Sequence, residues 1–89
     1  MDEPWWWSSP PKPGTLVELG GPYRRINVHG RPTRDGSGPL GLAPSPSTAV
    51  FVARFADERD ATTWWLLLID GAPGWVIMHA NRTVRLLSA

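Results

Sequence analysis

The side chains able to do acid–base or metal chemistry are few and scattered. His29 and His79 stand fifty positions apart, and Asp57, Glu58 and Asp60 crowd into one short polar stretch. No His-x-x-x-His spacing and no glycine-rich phosphate cradle accompanies them. The chain has no cysteine, which removes disulfides, thiolate metal sites and cysteine nucleophiles together. These residues predict no catalytic site, no metal and no cofactor. The histidines read as surface or cap residues, and the acidic stretch as a solvated hairpin loop that discourages edge pairing.

The chemistry the sequence does offer is recognition. Six tryptophans in 89 residues is a large aromatic load. Trp5, Trp6 and Trp7 sit among prolines with no core of their own to fill, and leaving three indoles in water costs several kcal/mol at ~25 cal/mol per Å². They are expected to be covered, either by this chain's own fold or by a neighbouring subunit, where tryptophan is a favoured anchor. Trp64 and Trp65 are adjacent in a strand-like run and so must point to opposite faces. The expectation is that one of them faces outward, and with Trp75 it suits polyproline stacking, base stacking or a subunit contact. Tyr23, Arg24, Arg25, Arg31 and Arg34 form a second candidate surface: four arginines less Asp35 leave a local charge near +3. Such a patch fits a phosphate backbone with Tyr23 stacked on a base, or a partner's carboxylates.

The elements that must hold these residues are short. Residues 1–13, with Pro4, Pro10, Pro11 and Pro13, predict an extended arm without helix. Residues 14–19 predict a strand. Residues 20–47 hold eleven glycines and prolines and read as a long loop, folded at most as an irregular hairpin. Strand-like runs then follow at 49–56, 62–69, 75–78 and 83–87, rich in β-branched and aromatic residues. Asp70-Gly71 suits a tight hairpin turn, and residues 79–82 suffice for one 3₁₀ turn. No window carries a helical apolar period without a glycine or proline breaking it, so the class is all-β with essentially no helix.

A chain this long supports one core. Five short strands leave fewest exposed edges if the sheet closes into a small barrel. The layout resembles a Src-homology-3-like (SH3-like) barrel over most of residues 14–88. The Trp64-Trp65 pair opening one strand, Gly74-Trp75 opening the next, and Val84 in the last carry the resemblance. It implies a five-stranded barrel domain at 14–89, with the long first loop at 20–47 and the arm at 1–13, and it implies that Trp64 lies on the recognition face. The tyrosine-bearing first strand, the acidic first loop and the proline before the 3₁₀ turn, with which eukaryotic members grip proline-rich peptides, are absent: Met78 and His79 stand where the proline belongs.

The formal charge of +1 places no strong field around the molecule. The longest apolar run, residues 64–69, is too short to span a bilayer, and the acidic amino terminus lacks the bases of a signal peptide. The expectation is therefore a soluble, non-catalytic interaction subunit of a larger cytoplasmic assembly, a phage virion among the candidates. Trp5, Trp6, Trp7, Trp64 and Trp75 are its expected protein contacts. A nucleic-acid-binding barrel working through residues 23–34 is the first alternative, and a proline-rich-peptide adaptor the second.

Overall fold

A computed structural model describes residues 4–33 and 39–87. One short helix and seven strands follow one another: α1 (Trp5–Ser8), β1 (Leu16–Gly20), β2 (Arg25–Val28), β3 (Gly41–Pro44), β4 (Ser47–Asp57), β5 (Thr62–Ile69), β6 (Ala72–Met78) and β7 (Thr83–Leu86). The class is all-β. Five strands form one antiparallel sheet in the order β6-β5-β4-β1-β7, and β2 pairs with β3 in a separate two-stranded ribbon. The sheet does not close into a ring. Ribbon and sheet are joined through a single bridge, in which His29 and Trp75 exchange both backbone hydrogen bonds at 2.8 and 2.7 Å.

The strand boundaries follow side-chain chemistry. In β4, Ala49 and Phe51 point into the core, and a register shift between Phe51 and Ala53 interrupts the ladder with β5. A shift of this kind bends a strand and increases its twist, which lets one long strand serve a curved sheet. In β5 the alternation is broken at Trp64, which is buried on the face away from the core just as Trp65 is buried on the other, while Leu68 further along that outer face is exposed. The β5–β6 turn is shorter than the sequence suggests: Asp70 and Gly71, with φ of 53° and 80°, make a two-residue hairpin connection, so β6 begins at Ala72 instead of Trp75.

One expectation is corrected. The amino-terminal arm is not wholly extended, since Trp5–Ser8 forms a helical turn with Trp7 N–H donating to Pro4 C=O at 3.0 Å. Pro4 stands before that turn, where its missing N–H costs nothing, and the next proline comes after it. Within residues 20–47 the hairpin that the sequence allowed is formed: β2 and β3 pair there, and Ile26 and Ala43 face the core. Glycines and prolines around the strands mask their alternation.

The core lies between the concave sheet and this hairpin. Trp65, with no exposed surface, stands edge-on to Phe51 at 4.8 Å and to Trp6 at 5.9 Å. Val17, Leu19, Ile26, Leu67, Val76 and Met78 complete the packing. Beside the bridge between His29 and Trp75, Gly74 leaves room for the ribbon: a Cβ there would collide with the Val28 side chain.

Candidate interaction surface

The tryptophans divide into structural and surface residues. Trp6 is buried in the main core, Trp7 packs partly against it, and Trp5 alone of the three is largely open at 48% exposure. The arm thus folds over its own chain, one of the two alternatives the sequence left open. Trp64 and Trp65 point to opposite faces as adjacent strand residues must, yet both are buried, against the expectation that one faces outward. Trp65 fills the core, while Trp64 is covered by the His29 ring, edge-on at 5.2 Å, and its Nε1 donates to Thr62 Oγ1 at 3.0 Å. Trp75 is half-buried on the outer face, with exposed Phe55 edge-on at 6.5 Å. Of the five tryptophans singled out by sequence, Trp5 presents the most surface, Trp7 and Trp75 are half-buried, and Trp6 and Trp64 present almost none.

The basic candidates gather on the hairpin. Tyr23 is 70% exposed, and Arg24, Arg25 and Arg31 are exposed; Arg34 lies outside the described residues. Among the described residues no carboxylate pairs with Arg24, Arg25 or Arg31, whereas Arg59 is held by Asp57 at 3.1 Å and Arg85 by Glu18 at 3.2 Å. Next to these arginines the structure exposes Leu40 and Leu42, at 77% and 53%, which sequence reasoning missed. Their alternation around Gly41 was the available signal, hidden in a stretch read as loop.

An open cleft of about 500 Å³ runs beside β3. One bank is formed by Leu40 to Pro44, and the other by Ser47, Thr48 and the Ile69–Pro73 turn. A smaller hollow of about 270 Å³ shares Leu42, Ala43 and Pro44 and is completed by Arg24 and Arg25. Apolar cleft and basic hollow therefore meet on one strand.

The acidic stretch is engaged in its own loop. Asp57, nearly buried, accepts from the Arg59 backbone N–H at 3.0 Å and from its guanidinium at 3.2 and 3.1 Å. The guanidinium hydrogen bonds, with the backbone donor next, hold the Asp57 carboxyl below its ordinary pKa. Asp60 Oδ1 accepts from Thr62 N–H and Oγ1, at 3.2 and 2.6 Å. Arg82 is buried without an acidic partner; its Nη2 donates to Ile77 C=O at 2.9 Å, and burial lowers its pKa. Among the described residues no group of three histidine, aspartate or glutamate side chains could hold a metal ion.

These features define an all-β protein with a basic, partly apolar hairpin surface. No protein-family model, curated protein or solved structure matches the chain.

Proposed function

We infer that the chain is a non-catalytic interaction subunit with an SH3-like plan, holding a partner macromolecule through the outer side of hairpin β2–β3. The plan is supported by the strand order β6-β5-β4-β1-β7, by the hairpin inserted between the first two sheet strands, and by the single turn at residues 79–82, where Arg82 N–H donates to His79 C=O. The observation that carries the function is the convergence of exposed Tyr23, Leu40 and Leu42 with acid-free Arg24 and Arg25 on one element. Exposed apolar side chains rimmed by charge mark contact sites more often than bare solvent faces. A larger assembly, a virion included, is the setting this reading favours, because the module brings a surface and no chemistry.

Site-specific photocrosslinking in the source cells tests the reading. A photoreactive residue at Leu42 is expected to give a discrete adduct that the same residue at exposed Glu58 does not give. Indistinguishable adduct patterns at the two positions would refute it. Nucleic acid is the second reading, favoured by the arginines and Tyr23; adducts at Leu42 that nuclease removes would establish it instead.

A further inference from the structure

The backbone of β3 has a free side. Ser45 N–H donates to Arg24 C=O at 2.8 Å, and bonded pairs alternate along an antiparallel ladder. The bonded pairs are therefore Arg24 with Ser45 and Ile26 with Ala43, and at the far end of the ribbon the Val28 carbonyl accepts the Leu40 N–H at 2.7 Å. Leu42 between them turns its N–H and C=O away from β2. The same parity sends the His29 backbone groups to the far edge of β2, where Trp75 takes both of them, so the phase is consistent. The outer edge of β2 is thus tied to β6, while that of β3 has no strand beside it among the described residues. Pro44 has no N–H to offer, and its carbonyl already accepts the Ser47 hydroxyl.

What lies along that free side is the 500 Å³ cleft, within the ~300–1,000 Å³ typical of binding clefts. Its floor is apolar around Val28, Ala43 and Ile69, and Asp70 stands on the opposite bank. Across the strand, Arg24 and Arg25 reach over Leu42 and Pro44. The other sheet edge, β7, differs: its cation, Arg85, is already paired with Glu18.

We propose that the open edge of β3 receives an extended acidic segment of a partner protein as an added strand. The proposal rests on the interaction reading above and names the chemistry of its partner. The segment's backbone bonds the N–H and C=O of Leu42. Alternate residues of a strand face opposite ways, so its apolar side chains enter the cleft beside Val28 and Ile69, and its carboxylates lie on the outer face toward Arg24 and Arg25. Asp70 on the far bank of the cleft disfavours carboxylates there, and Arg24 and Arg25, which share the neighbouring hollow with Leu42 and Pro44 and have no ion-pair partner among the described residues, favour them on the outer face. Main-chain bonds supply affinity and the alternating side chains supply selectivity, as in other strand-addition interfaces.

The test uses the full chain, labelled with ¹⁵N, and defined probes. An acetylated Glu-Val-Glu-Val-Glu amide is expected to shift the amide signals of Leu42, Ala43, Val28 and Ile69. The Arg24→Glu, Arg25→Glu double variant should bind it at least about tenfold more weakly. The same peptide with its glutamate backbone nitrogens methylated should lose binding, because it can no longer donate to the Leu42 carbonyl. Equal binding of the methylated peptide, or of a Lys-Val-Lys-Val-Lys amide, overturns the proposal, as does a response to oligothymidylate in place of the acidic peptide. If Leu42 crosslinks to a protein in cells while the acidic peptide leaves these signals unmoved, strand addition is wrong and the interaction reading stands. If neither occurs, both fail.

Discussion

The two sides of the hairpin β2–β3 are made of similar lengths of chain and do opposite things. Toward the sheet, Ile26, Val28 and Ala43 join a core in which Trp65 is enclosed by Phe51 and Trp6. Toward solvent, Arg25, Leu42 and Pro44 are exposed, and Arg25 has no ion-pair partner among the described residues. The difference teaches where stability ends and recognition begins: apolar residues on the inner side are covered by their own chain, and those on the outer side are left available. On the proposed reading it also moves the partner surface from the arm to the hairpin. The tryptophan-rich arm, the most conspicuous feature of the sequence, belongs largely to the inner side.

The sharpest way to break that comparison is at Trp6. Its truncation to alanine should cost ~3–5 kcal/mol, the usual range for a buried aromatic, and lower the melting temperature by more than about 10 °C. Trp5→Ala, on the same turn but open, should change stability by less than about 0.5 kcal/mol. Equal effects in thermal melts would mean that the arm is not docked through Trp6. A smaller effect sharpens the seam between hairpin and sheet. Gly74→Ala places a methyl against Val28, and overpacking of this kind costs ~1–3 kcal/mol. Adding Val28→Ala should recover most of the Gly74→Ala penalty in a denaturant-melt cycle, and strict additivity of the two losses would contradict the contact.

The smallest effect lies outside both regions, in the β4–β5 loop. Asp57 has a folded-state pKa below its unfolded value, owing first to the Arg59 guanidinium hydrogen bonds. Its contribution is therefore present above the unfolded pKa of about 3.9 and is lost as pH falls through the lower, folded value. Asp57→Asn should flatten stability against pH in that acidic window and leave the hairpin surface unaffected. An unchanged acid profile would show that this pair contributes nothing in solution.

Much of the fold was legible because its signals are local. The runs at 49–56 and 62–69 announce β4 and β5, and Asp70-Gly71 gives the hairpin turn; β4 extends beyond its run to Ser47 and Asp57, and Ala72, Pro73 and Gly74 read as turn residues but belong to β6. The ribbon was harder to read, because Pro39, Gly41 and Pro44 look like loop while β3 uses Pro44 at a position whose N–H would face no partner. The burial of Trp64 was not legible at all. The two-face rule for adjacent residues holds, but covering the second face requires His29 to arrive from a distant hairpin, and no local pattern encodes that. Likewise, Tyr23, Arg24 and Arg25 were visible as a basic patch, whereas Leu40 and Leu42 became part of it only once the hairpin placed them beside the arginines.

The central claim is that the arm seals its own core, leaving the hairpin for partners. The most direct measurement is the solution mass of the full chain, by light scattering on a size-exclusion column, beside a version lacking residues 1–13. The account predicts a monomeric full chain and a truncated chain that self-associates, because removing Trp6 and Trp7 uncovers apolar surface around Trp65. A full chain that is oligomeric, and becomes a well-folded monomer on truncation, would contradict it by showing that the arm works between molecules.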